Sequence, residues 1–101
     1  MVTSFGYSIN PPPKADVTID VRDLSHNPHD PKWEQRIAEI VSKGGRSIAI
    51  GCEKGCHRSV AIAEEVARRL DQSVQHRDQR WPTKRVGERL AKVMTSLENR
   101  G

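Results

Sequence analysis

The segment Gly51-Cys52-Glu53-Lys54-Gly55-Cys56-His57-Arg58-Ser59 gathers two thiols, an imidazole, a guanidinium, an ammonium and a hydroxyl around two glycines. It lies between the strand-like Ser47-Ile48-Ala49-Ile50 and a helix-like run that starts at Val60. A loop that leaves a buried strand and opens a helix presents unpaired backbone N–H groups and the positive end of the helix dipole to whatever lies above it. Such a loop is suited to an anion. Gly51 and Gly55 permit backbone conformations that a side chain resists, so several N–H groups can converge on one oxyanion. Arg58 adds a bidentate fork, and His57 and Lys54 add positive charge.

The same residues fit a second chemistry. Cys52, Gly55, Arg58 and Ser59 have the Cys-x-x-Gly-x-x-Arg-Ser spacing of cysteine-dependent phosphatases. There a thiolate attacks phosphorus, loop amides and the arginine hold the equatorial oxygens, and a hydroxyl helps the thiolate leave. The acid for the leaving group would come from Asp20, Asp23, Asp30 or Asp78. The residue before Cys52 is glycine, no acid loop declares itself, and Cys52 also reads as a small buried residue at a strand end. Catalytic roles for Cys52, Arg58 and Asp20 are therefore the alternative, and a non-catalytic site is the expectation. His26, His29, Cys52, Cys56 and His57 are of zinc-ligand type, but their spacing is not that of a zinc knuckle, and no metal or other cofactor is expected.

The elements that must position this loop are readable from periodicity. Val2 to Tyr7 reads as a first strand, followed by the stiff connector Pro11-Pro12-Pro13. Val17, Ile19 and Val21 alternate with polar residues, predicting a second strand. Asp30 is placed to cap a helix with Pro31 in its first turn; Trp33, Ile37, Ile40 and Val41 share one face, and Gly44-Gly45 ends it. Ile48 and Ile50 begin a third strand, and Ala63, Val66, Ala67 and Leu70 make the inner stripe of a second helix. Ser73 to Arg77 reads as a fourth strand, and Val86, Leu90, Val93, Met94 and Leu97 follow the spacing of a C-terminal helix. Strands alternating with helices predict an α/β fold, a layered sandwich with a mainly parallel four-stranded sheet. Ligands in such sheets gather beyond the C-terminal strand ends. That rule puts Asp20 and Arg22, Gly51 to Ser59, and His76 to Asp78 on one rim.

The 101 residues suffice for one domain with a modest core, spanning 1–101. Hydrophobic residues make up 35% and charged residues 30%, so that core must be thin. A formal charge of +4 and a pI near 9.4 favour anionic partners such as phosphorylated metabolites or RNA. Two cysteines in one loop close no useful covalent ring, no N-terminal apolar segment resembles a secretion signal, and no run is long enough to cross a bilayer. A reduced, cytoplasmic protein without membrane contact is expected.

Several segments, in order, resemble the C-terminal domain of the RapZ family of bacterial RNase adapter proteins. They are Ser4-Phe5-Gly6-Tyr7, Asp20-Val21-Arg22 followed by Asn27-Pro28-His29, Ile48 to Cys52 leading through Gly55 to His57-Arg58-Ser59-Val60, and His76-Arg77. The resemblance implies an α/β domain that binds a phosphorylated amino sugar, glucosamine-6-phosphate, and in some members a small regulatory RNA delivered to an endoribonuclease. By resemblance His29, Gly55, His57 and Arg58 surround the phosphosugar, with Asp20 and Arg22 nearby. Arg77, Arg80, Lys84 and Arg85 occupy a region comparable to the family's RNA-contacting one, and a protein partner is implied with the RNA. Glu53 and Lys54 stand where the family loop usually has Thr and Gly, which alters the expected ligand shape. The family's N-terminal nucleotide-binding domain has no counterpart in this sequence, so a stand-alone binding domain is the expectation and nucleotide hydrolysis is not inferred.

Overall fold

The computed structural model describes residues 1–55 and 57–78. Strands β1 (Val2–Gly6), β2 (Val17–Asp20), β3 (Ile48–Cys52) and β4 (Val74–His76) form one sheet in the order β2-β3-β1-β4. Every neighbouring pair is parallel. Helices α1 (Pro31–Lys43) and α2 (Arg58–Leu70) carry the crossovers from β2 to β3 and from β3 to β4. Both crossovers move the same way across the sheet, so right-handed connections put both helices on one face. The α/β sandwich with a parallel four-stranded sheet is the fold read from the sequence. The expected C-terminal helix, together with Cys56, Arg80, Trp81, Lys84 and Arg85, lies outside the described residues.

Local chemistry explains the helix limits. Asp30 caps α1, its carboxylate accepting the Lys32 N–H at 3.0 Å, and Pro31 follows where no N–H is needed. Gly44, at φ 62°, turns the chain out and donates its N–H to Ile40 O at 3.0 Å. Helix α2 begins at Arg58, two residues before the apolar run at Val60, with His57 as its N-cap, whose carbonyl accepts the Ala61 N–H at 2.9 Å.

Alternation divides each strand between two faces. Val2, Ile48, Ile50, Cys52, Val17 and Ile19 point toward the helices and join Trp33, Ile37, Ile40, Ala61, Ile62 and Val66 in one core cluster. Phe5 points the other way and packs edge-on against Tyr7, with ring centroids 4.8 Å apart. Helix α2 is buried around most of its circumference, since it contacts β1, β3 and β4 on one side and α1 on the other. Its one buried acid, Glu65, has a side chain 2% exposed and is held by Arg68 and by Arg69 Nε at 2.9 Å. Arg69 also forks onto Glu34 of α1 at 2.7 and 2.9 Å, so the two helices share an ion network.

The connector between β1 and β2 must return from the C-terminal to the N-terminal edge of the sheet, since the strands are parallel. It moves opposite to the helical crossovers and takes the other face. Asp16 and Val17 N–H groups close its far end on Ser47 O at 3.0 and 3.2 Å.

Ile62→Ala should lower the free energy of unfolding by about 2–4 kcal/mol, because Ile62 is fully buried where sheet and helices meet. Urea titration followed by far-UV circular dichroism checks this, and an unchanged midpoint would refute the packing described.

Candidate functional site

Register aligns the C-terminal strand ends along one rim. Gly6 stands opposite Cys52, Asp20 opposite Gly51, and Ser4 opposite His76. The chain leaves β1 toward one face and β3 toward the other, so the crevice above these two neighbours is a topological switch point. Residues 53–55 lie in that crevice, ahead of α2.

The loop folds around the sulfur of Cys52. Gly55 donates its N–H to Cys52 Sγ at 3.2 Å, and the Cys52 thiol donates to Ser59 Oγ at 3.1 Å. Burial pushes the Cys52 thiol up. The Ser59 hydroxyl and the backbone N–H groups of Ser59, Gly55 and His57 outweigh it, leaving the pKa below the ordinary thiol value. The environment therefore favours negative charge at the sulfur, onto which the Gly55 N–H is turned. His57, the residue before α2, makes no side-chain cap, so the helix start is left to other acceptors.

Close backbone approach sets this shape. Gly55 has φ 72°, and a Cβ there would lie 2.6 Å from Gly6 N. Gly6 meets the loop from the other side, where a Cβ would lie 2.6 Å from Lys54 O and 2.7 Å from Gly55 N. The end of β1 is thus pressed against the backbone of residues 54–55.

Arg58 Nη1 donates to Arg22 O and Leu24 O, both at 2.8 Å, tying the segment after β2 to the start of α2. Its Nε and Nη2 make no hydrogen bond among the described residues, so one edge of the guanidinium remains for a ligand. Asp20 and Arg22 pair bidentately, with contacts of 2.8 to 3.1 Å, and the Arg22 guanidinium lies 4.0 Å above the Tyr7 ring centre. The Arg22 guanidinium holds the Asp20 carboxyl below its usual range. Arg36 braces the same segment through Asp20 O at 2.8 Å and the Asp23 carboxylate at 2.7 Å. His29 is exposed in the β2–α1 loop, its N–H held by the Asn27 side chain at 3.0 Å; His57, Glu53 and Lys54 are exposed as well.

Arg77 is committed within the fold. It donates to Pro11 O at 2.5 Å, to Asn10 O at 3.1 Å and to Asp78 at 2.7 Å, and it stacks 5.4 Å from the Phe5 ring centre. The other candidate acids are also engaged: Asp23 with Arg36, Asp30 with the α1 cap and Ser25, and Asp78 with Arg77 and the Gly6 N–H. Sequence reasoning places Asp78 on the rim and among the candidate acids but does not point to Tyr7 or Arg36. Tyr7 had a signal in its place one residue past β1, whereas Arg36, within α1, had none. Among the described residues no three His, Cys, Asp or Glu side chains cluster as a metal would require, and no helix is long and apolar enough to cross a membrane.

Comparison with known proteins gives a consistent result. Residues 36–80 match the RapZ C-terminal domain. A nucleotide-binding protein of Thermus thermophilus is 30% identical over 113 aligned positions, covering 76% of this chain and 41% of that protein. One from a Mycobacterium species is 36% identical over 103 positions, covering 68% and 33%, and one from Kocuria rhizophila is 60% identical over 43 positions, covering 37% and 14%. The chain spans less than half the length of these curated relatives. No solved structure matches. The chain belongs to the RapZ C-terminal domain family.

Proposed function

We propose that the chain, acting as a single domain over residues 1–101, binds a small phosphate-bearing ligand without turning it over. The observation that carries this reading is the Gly55 N–H turned inward onto Cys52 Sγ at 3.2 Å, facing an α2 start that lacks a side-chain cap. Gly51, Cys52, Glu53, Lys54, Gly55, Cys56, His57, Arg58 and Ser59 form the cradle. The open edge of Arg58 forks onto the phosphate, and Asp20, Arg22 and His29 meet the rest of the ligand. The relatives' description as nucleotide-binding proteins supports a nucleotide or other phosphorylated compound. Within that class we favour an amino-sugar phosphate such as glucosamine-6-phosphate, on the resemblance in Asp20-Val21-Arg22, Asn27-Pro28-His29 and His57-Arg58-Ser59. The ionised Asp20 then suits the ligand's ammonium group. A regulatory role through RNA contacts at Arg77, Arg80, Lys84 and Arg85, in the cytoplasm, is the further extension of the same resemblance, although Arg77 would first have to release Asn10 and Pro11.

A second reading, a cysteine-dependent phosphatase, is favoured by the hydrogen bonds of Cys52 with Ser59 and Gly55. Against it, every aspartate named as a general acid is engaged, and Asp20, Asp23 and Asp30 are all held below their ordinary pKa. Pairing of this kind favours the ionised carboxylate, which opposes service as a proton donor.

Calorimetric titration with glucosamine-6-phosphate and inorganic phosphate, alongside an aryl phosphate turnover assay, separates the two. Arg58→Ala should weaken phosphate binding by about tenfold or more, the worth of a charge-assisted fork. Cys52→Ser should leave binding nearly intact; if it abolishes a measurable aryl phosphate turnover, the enzyme reading replaces the binding one.

Sulfate affinity should also fall as pH rises through the Cys52 titration. A bound dianion opposes the thiolate and so raises the thiol pKa in the complex, which by linkage means tighter binding of the thiol form. Thiolate absorbance in the ultraviolet should place that midpoint below the ordinary thiol value, and Cys52→Ser should remove this pH dependence. A sulfate affinity that stays flat through the thiol titration would count against the sulfur facing the anion.

A further inference from the structure

We propose that Asp78 is a positioning residue for the anion cradle: its buried carboxylate accepts the Gly6 N–H, holds the end of β1 against the backbone of residues 54–55, and so keeps the Gly55 amide turned inward. The inference rests on the phosphate-binding reading for its functional consequence and on the geometry for its mechanism.

Pairing of β1 with β4 delivers Asp78 to the right height. Ser4 stands opposite His76, and the Arg77 N–H continues the ladder onto Ser4 O at 3.0 Å. Asp78 then reaches across the strand end, its Oδ2 2.7 Å from Gly6 N, with the side chain only 4% exposed. It touches the loop as well, because a Cβ at Gly55 would lie 3.1 Å from Asp78 Cβ. One side chain therefore adjoins both members of the Gly6–Gly55 contact, its carboxylate at the Gly6 N–H and its methylene beside Gly55. A negative charge this near an anion cradle opposes the ligand, so electrostatics alone would not put it there. Arg77 offsets the charge by forking onto the same carboxylate, with Nη2 at 2.7 Å and Nε at 3.1 Å, and anchors it through Asn10 and Pro11. The β1 end, the β4 end, the proline connector and the cradle thereby meet at one side chain.

Two readouts test this. Asp78→Ala should weaken inorganic phosphate binding by about tenfold, while Asp78→Asn, which keeps an oxygen acceptor for the Gly6 N–H, should stay within about threefold of the parent. Ile37→Val, a core truncation on α1, should leave affinity unchanged and so separates positioning from general loss of stability. Amide hydrogen exchange by NMR, without ligand, should show Gly6 and Gly55 accelerated in Asp78→Ala beyond any common factor seen at Ile50 and Ile62. Parent-like phosphate affinity in Asp78→Ala, or acceleration that is uniform across all four amides, would overturn the proposal. If the parent protein takes up no phosphate, the binding reading fails, and the exchange pattern still decides whether Asp78 holds the loop.

Discussion

The backbone contact between Gly6 and residues 54–55 is the constraint from which the rest of the rim follows. Pairing of β1 with β3 does not stop at Cys52, because the Tyr7 N–H bonds Cys52 O at 2.9 Å and the Ser8 N–H bonds Glu53 O at 3.0 Å. The loop is thus carried along β1 with no room for a side chain at the point of contact. Only a residue tolerant of φ 72° can then turn its N–H back toward Cys52 Sγ, and Gly55 does so. The start of α2 arrives opposite, with Ser59 fully buried beside the sulfur. Donors placed this way are oriented during folding, so the anion proposed to bind there would have little left to reorganise.

A thin apolar core carries this arrangement because α2 is buried on several sides and uses small residues to do it. Ala61, Ala63 and Ala67 let it lie close to its neighbours, and Val60, Ile62 and Val66 fill the space between them. Polar groups under the helix are satisfied by strand register. His76 bridges Ser4 Oγ at 2.7 Å and Glu64 Oε1 at 3.0 Å, joining β1, β4 and α2. The row of serine, histidine and carboxylate has the outline of an activated nucleophile, yet Ser4 is 0% exposed, and its work is to satisfy a buried hydroxyl.

Alternation and capping signals made most of the fold legible in the sequence. Val17, Ile19, Ile48 and Ile50 announced strands, and Asp30-Pro31 with Gly44-Gly45 announced the limits of α1, because these features act within a few residues of one another. The parallel sheet followed from the alternation of elements. Strand order did not, since nothing local says that β1 lies between β3 and β4. The loop was legible as a glycine-punctuated bend before a helix, the form proposed above to hold an anion. What held it was not, because the bond from Gly6 to Asp78 spans the described chain almost end to end. Arg58 illustrates the same limit: its type and spacing marked it for an anion, while its bonds to Arg22 O and Leu24 O depend on where the segment after β2 happens to lie.

Those bonds bear on how selective the cradle can be. A free arginine on a surface loses rotamer freedom when it clamps an anion, but Arg58 has already lost it to two carbonyls. The segment it grips is braced again by Arg36, through Asp20 O and Asp23, and by the Asp20–Arg22 pair. Arg22 and Arg36 are matched by carboxylates, leaving the helix start, the loop amides and the open edge of Arg58 as the directed attraction. Aligned amides act over a turn of helix, whereas unmatched charge acts over a Debye length. On the function proposed above, a cradle of this kind would distinguish ligands by the geometry of a tetrahedral anion more than by total charge. The ordered segment carrying Asp20, Arg22 and His29 would then screen what is attached to that anion.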